Sequence, residues 1–166
     1  SQNVTIPVGG YPFDTVQTSY TFGPQRKVAG TLSLGRGAFY DGRQTSVGLG
    51  SGRVEITPQF SLEPSASVNW VTLPQGSFTA QIYRARTTYT FTPKMFASGL
   101  VQYNSSTHTV SSNVRLRWEY SAGSEFFVVY PEDRDTIATA LAGPIGQFSP
   151  VLNRGIVVKI NRLLRF

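Results

Sequence analysis

The chain has 166 residues, only 14% of them charged, with a formal net charge of +6. Soluble domains carry about 25% charged residues, so this surface is unusually short of ions. The absence of cysteine excludes disulfides and thiolate metal sites, and the basic residues are scattered rather than blocked, which argues against a nucleic-acid partner.

No apolar run reaches ~18 residues, so no transmembrane helix is expected, but barrel strands hide their apolar residues by alternation. Nothing at the amino end resembles a signal peptide. One domain over 1–166 is expected.

Nine strand-like segments follow in chain order. Residues 1–12 read as an external loop, or as a poor extra strand through Val4 to Val8. Phe13 to Phe22 is the first strand, and Val28 to Ala38 and Gln44 to Ile56 are Gly-rich and weaker. Phe60 to Trp70 alternates clearly, with Phe60, Leu62, Ala66, Val68 and Trp70 on one face and Glu63 among the serines of the other. Pro64 lacks a ladder donor and predicts a bulge or distortion. Ser77 to Phe91 changes register, which predicts a bulge near Ile82. Met95 to Tyr103 and Val110 to Tyr120 alternate again, the latter setting Val114, Leu116 and Trp118 against Arg115, Arg117 and Glu119. Glu125 to Tyr130 is short. Gly155 to Phe166 closes the chain, with Ile156, Val158, Ile160, Leu164 and Phe166 sharing a face with Arg162.

The connections are expected to sort by length. Short ones at 23–25, 57–59, 92–94 and 121–123 alternate with longer ones at 40–43, 73–76, 104–108 and a long external loop at 131–154. A meander of antiparallel hairpins with its short turns at one end has this order, as do outer-membrane barrels. The fold class expected is therefore all-β: an antiparallel up-and-down transmembrane β-barrel of about nine strands. The odd count, and a first strand starting at the outer end, make the chain read as the carboxyl-terminal part of a larger barrel, because bacterial barrels have even numbers.

The strings GAFYDGRQTSVGLG, FTPKMFASGLVQYN and NVRLRWEYSAGSEFFVVY, with the closing KINRLLRF, resemble the carboxyl-terminal barrel region of a family of large Gram-negative surface proteins. In that family an amino-terminal domain similar to carbohydrate-binding modules precedes a long β-rich region. The resemblance covers about Gly9 to Phe166 and implies a barrel in the Gram-negative outer membrane. It implies no activity, and no carbohydrate-binding role falls within this chain. Arg162 departs from the apolar pattern of a closing strand, though an interfacial arginine can snorkel.

The candidate sites follow from the two faces. Val158, Ile160, Leu164 and Phe166 form the assembly strand that outer-membrane assembly machinery recognises. Arg84, Arg86, Arg115, Arg117, Glu119, Glu63 and Lys159 are candidates to line a lumen. In a wide barrel they would favour anions; in a narrow dry one they would pair with Glu63 and Glu119. Aromatic residues near strand ends, among them Tyr20, Phe39, Trp70, Tyr89, Tyr103, Trp118, Phe127 and Tyr130, suit interfacial girdles.

No catalytic residue, cofactor or metal site is expected. His108 sits with Ser and Asn in one turn, whereas a triad needs groups converging from separate elements. The acidic run Glu132 to Asp135 lacks the spaced ligands of a calcium loop. Asp135 is placed to cap a short helical stretch over 135–141. The function expected is a pore or membrane anchor, not an enzyme. Its partners would be the lipid bilayer, the assembly machinery and other protein subunits joined at open edges. The alternatives are a soluble β-sandwich that binds carbohydrate, and a barrel enzyme.

Overall fold

The structure is a computed structural model, and it describes residues 8–11, 13–23, 25, 27–137 and 150–164. Ten strands form a single antiparallel sheet: β1 (Thr15–Phe22), β2 (Val28–Phe39), β3 (Gly42–Thr57), β4 (Phe60–Leu73), β5 (Gly76–Thr92), β6 (Met95–Asn104), β7 (Thr109–Ser121), β8 (Ser124–Asp135), β9 (Val151–Arg154) and β10 (Val157–Asn161). The order follows the chain from β1 to β8, and β9 and β10 both pair with β8. The up-and-down meander is therefore present as an open sheet, with β1 and β10 at its edges. Every substantial contact between elements is between sheet neighbours. Among the described residues no second layer covers either face, and the buried apolar residues are Val71 and Leu73 alone.

The two strand prolines explain where the ladders break. In an antiparallel strand the N and O of one residue point to the same neighbour, so a proline leaves one carbonyl of that neighbour without a donor. Pro64 meets β3 where the register slips between Leu49 and Val54. The extra residue lies on β3, around Gly50 to Gly52, and Gly52 approaches the Pro64 carbonyl so closely that a Cβ there would lie 2.2 Å from its oxygen. The distortion expected at Pro64 is thus taken up by its neighbour. Pro131 accepts from the Gly155 N–H at 3.1 Å, so its missing donor faces the break between β9 and β10. Those two short strands are one edge line along β8, interrupted opposite a residue that cannot donate.

Three expectations need correction. Pairing of β4 with β5 is continuous from Phe60↔Tyr89 to Leu73↔Gly76, so no bulge occurs at Ile82. Instead, pairing of β5 with β6 begins at Ile82↔Asn104, so residues 76–81 run past β6 and need not keep its apolar face. The segment 131–154 is not wholly a loop: 131–135 continue β8 and 151–154 form β9, while 138–149 lie outside the described residues. Connection lengths also sort less cleanly than expected. The β2–β3 and β4–β5 connections reduce to Tyr40-Asp41 and Pro74-Gln75, as short as Pro58-Gln59, Pro93-Lys94 and Ala122-Gly123. Strand extension has absorbed the rest, because each β-turn needs only two residues between paired strands. Tyr40 and His108 take the left-handed turn conformation, with φ of 52° and 53°.

Candidate functional site

Directly paired residues in an antiparallel sheet point to the same face, so the register sorts the whole sheet into two surfaces. One cross-strand row runs Tyr20, Leu32, Leu49, Ala66, Tyr83, Tyr103, Val110. A second runs Phe60, Tyr89, Ala97, Leu116, Val128, Val158. A third runs Met95, Trp118, Phe126, Ile160. These rows share one face, which is apolar from β1 to β7 and along Phe126 to Val128 and β10; beyond them it carries Arg134 opposite Val110, and Glu132 between Ser112 and Arg154. The opposite face carries Ser65, Arg84, Gln102, Ser111 and Asp133 in one row, and Glu63, Arg86, Leu100 and Asn113 in the next.

The apolar face lies open. Val16 is 75% exposed, Val114 52% and Ile160 66%. Along β2, Leu32 and Leu34 are exposed while Ser33, Gly35 and Gly37 on the polar face are half-buried. Along this strand that inverts the order of a soluble sheet, which shelters its apolar side. Apolar patches on soluble monomers rarely exceed a few hundred Å², and this one extends over the sheet.

Aromatic side chains mark both ends of the apolar face. Tyr20 packs edge-on against Phe22, Tyr89 against Phe91, and Trp118 against Tyr120, at centroid distances of 5.1, 4.8 and 6.0 Å. These lie toward the 23–27, 93–94 and 122–123 connections. Toward the other end stands Trp70, with Tyr83 stacked on Tyr103 at 6.3 Å. Three aromatics expected in the girdles are placed otherwise. Tyr130 lies mid-strand on β8, directly opposite Val114. Phe127 pairs with Arg117 and Lys159 on the polar face, and Phe39 packs on Tyr40 at the β2–β3 turn.

The structure brings most of the candidate lumen residues together on the polar face. Arg86 stands opposite Glu63, with 4.0 Å between their charged groups. Arg84 Nε donates to Gln102 Oε1 at 3.2 Å. Arg117 Nε donates to Glu125 Oε1 at 3.0 Å and lies 5.8 Å from the ring centroids of both Phe96 and Phe127. Glu119 accepts from the Gly123 N–H at 3.2 Å, so it holds the β7–β8 turn rather than an arginine. Glu125, not singled out by the sequence, is the acid that pairs Arg117; it stands directly opposite Glu119, diagonal to Arg117, a placement that only the register shows. Arg115 and Lys159 make no ion pair among the described residues. Arg86 and Arg115 line a cavity of about 430 Å³ with Thr88, Ser98 and Asn113. With Glu55, Glu63, Glu119, Glu125 and Asp133 on the same side as these cations, the face is mixed in sign, with its basic strip at Arg84, Arg86 and Arg115.

Of the assembly-strand residues, Val158 and Ile160 lie on β10 and face the apolar side. Leu164 lies beyond β10 and is exposed, and Phe166 lies outside the described residues.

The acidic run at 132–135 is engaged in a different network. Glu132 is nearly buried. It accepts from the Tyr130 hydroxyl at 2.5 Å, from Arg134, and from Arg154 Nε at 2.9 Å. The network pins β9 to β8. Asp135 Oδ1 accepts from the Ile137 N–H at 2.8 Å, as a capping residue does; the rest of the expected helical stretch lies outside the described residues. Among those residues no group of three metal-ligating side chains occurs. His108 presents its carbonyl to the Thr136 N–H and hydroxyl at 2.7 and 2.8 Å.

No family model, curated protein or solved structure matches the chain.

Proposed function

We propose that this sheet is wall material of a transmembrane β-barrel in a Gram-negative outer membrane, with its apolar face against lipid and its polar face toward water. The observation that carries the reading is the uncovered apolar face: Val16, Leu34, Tyr89, Val114, Trp118 and Ile160 on it lie exposed, with no second layer over it among the described residues. In water that arrangement forfeits about 25 cal/mol per Å² of apolar surface left uncovered; in a bilayer it is the favourable one. The aromatic ends supply headgroup-level anchors. The β7 segment between them, Val110 to Trp118, has about the length that a tilted strand needs to cross hydrocarbon.

A sheet with two free edges cannot stay so in a membrane, because unpaired backbone groups are costly there. Closure requires β1 and β10 to find partners. The edge lines β1 and β9–β10 run in the same direction along the sheet, so joining them directly would be a parallel pairing, while an added strand would restore antiparallel order. The family resemblance described above accords with a larger barrel. The role proposed is that of a pore or anchor rather than a catalyst, with the strip at Arg84, Arg86 and Arg115 setting an anion preference in any water-filled lumen.

Gel mobility of detergent-extracted protein, with and without boiling, tests this. A boiling-dependent shift of protein from the outer-membrane fraction is expected. A water-soluble protein without such a shift would overturn it. The carbohydrate-binding sandwich has less support, since a sandwich buries the facing sides of two sheets and the described residues form one.

A further inference from the structure

The apolar face is not uniformly apolar. Near the 40–41 and 74–75 turns it carries Arg36 and Arg43, on adjacent strands. Arg36 stands directly opposite Thr45 and Arg43 opposite Thr72, which makes the two arginines diagonal cross-strand neighbours, about 7–8 Å apart at the backbone. Both are exposed. Neither has an ion-pair partner among the described residues, in contrast to Arg117, Arg134 and Arg154. They line a cavity of about 580 Å³ with Thr45, Trp70 and Thr72. Asp41 lines the same cavity, and its carboxylate accepts from Gln75 Nε2 at 2.5 Å.

Two like charges held side by side on an apolar surface repel each other, and neither makes an ion pair among the described residues. An anion bridging both guanidiniums removes that cost, and a phosphate oxygen pair matches the guanidinium fork. The long apolar stems of arginine can lie along the sheet while their heads reach the headgroup level. Trp70 beside them marks that same level, and the hydroxyls of Thr45 and Thr72 add donors. The strip around Arg115 also sets arginines beside hydroxyls, but on the membrane reading it turns away from lipid.

We propose that Arg36 and Arg43, with Trp70, Thr45 and Thr72, form a binding site for the phosphate of a lipid headgroup at the outer rim of the apolar face. The inference rests on the membrane reading above and adds the lipid that the surface selects. Native mass spectrometry of the full chain in detergent, with phosphatidylglycerol or phosphatidylcholine added, tests it. The native protein is expected to retain phosphatidylglycerol on the order of tenfold better than phosphatidylcholine, the scale set by two basic side chains near an anionic surface. The pair R36Q/R43Q is expected to bring the two lipids level, while R84Q/R115Q on the opposite face leaves the preference intact. Inorganic phosphate at equal concentration is expected not to compete, since it lacks the acyl chains that dock on the apolar surface.

Insertion into pure phosphatidylcholine vesicles, measured in parallel, separates the two claims. If the native protein inserts there but shows no headgroup preference, or R36Q/R43Q keeps it, the site is refuted and the membrane reading stands. If no protein inserts into any vesicle, both are refuted.

Discussion

Val114→Arg separates a lipid-facing sheet from a water-facing one by a wide margin. Val114 lies mid-strand on β7, half exposed, opposite Gly99 and Tyr130. Gly99 has no side chain, so the longer arginine has room on the β6 side, with Tyr130 flanking it on β8, and the half-exposed site leaves no cavity. If the face met water, the change would fall within about 0.5 kcal/mol, as for other surface substitutions. Against hydrocarbon near the bilayer midplane it costs about 2–4 kcal/mol, or roughly 30- to 700-fold in the folding equilibrium. Asn113→Arg is the matched control. It lies at the same depth on the polar face, beside the cavity between Arg86 and Arg115, and is expected to cost less than about 1 kcal/mol because that face meets water. Urea titration of vesicle-inserted protein, read by gel mobility, measures both. Equal and small effects for the two variants would refute the assignment of faces.

Three further outcomes follow from particular contacts. Gly52→Ala places a Cβ against the Pro64 carbonyl while Gly50→Ala meets nothing within 4 Å; the first is expected to lower stability by about 1–3 kcal/mol and the second to leave it near native, by the same titration. Glu132→Ala removes the carboxylate that accepts from Tyr130, Arg134 and Arg154; it is expected to release β9 from β8, read as amide chemical-shift changes concentrated at residues 151–154. Neutralising Arg86 and Arg115 together is expected to reduce anion over cation selectivity in planar-bilayer conductance without changing insertion, since both line the polar-face cavity.

The strands that alternate strictly were legible in the sequence. For β4 and β7 the apolar and polar residues read from period two are those the register places on opposite faces, because in a single sheet each side chain has only two directions to choose from. What the sequence hid was set by neighbours. Pro64 announced a distortion, but which strand would absorb it depended on Gly50 and Gly52 across the ladder. The apparent register change at Ile82 came from β5 outrunning β6. The polar run after Pro131 read as loop because its stability comes from Glu132 meeting Arg154, 22 residues away, and no periodicity signals that. The same applies to Glu125 as the partner of Arg117. The two diagonal arginines, by contrast, lie on different strands and became neighbours only once the β2–β3 register was known.

The chain has two tryptophans, Trp70 and Trp118, and the register puts both on the apolar face, toward opposite ends of it. Their fluorescence in vesicles containing lipids brominated along the acyl chain reports directly on what that face meets. Strong quenching by bromines near the headgroup, weaker quenching by bromines near the chain ends, and protection from iodide in the aqueous phase are expected. Free access of iodide to both tryptophans, with no quenching by brominated lipid, would contradict a lipid-facing sheet.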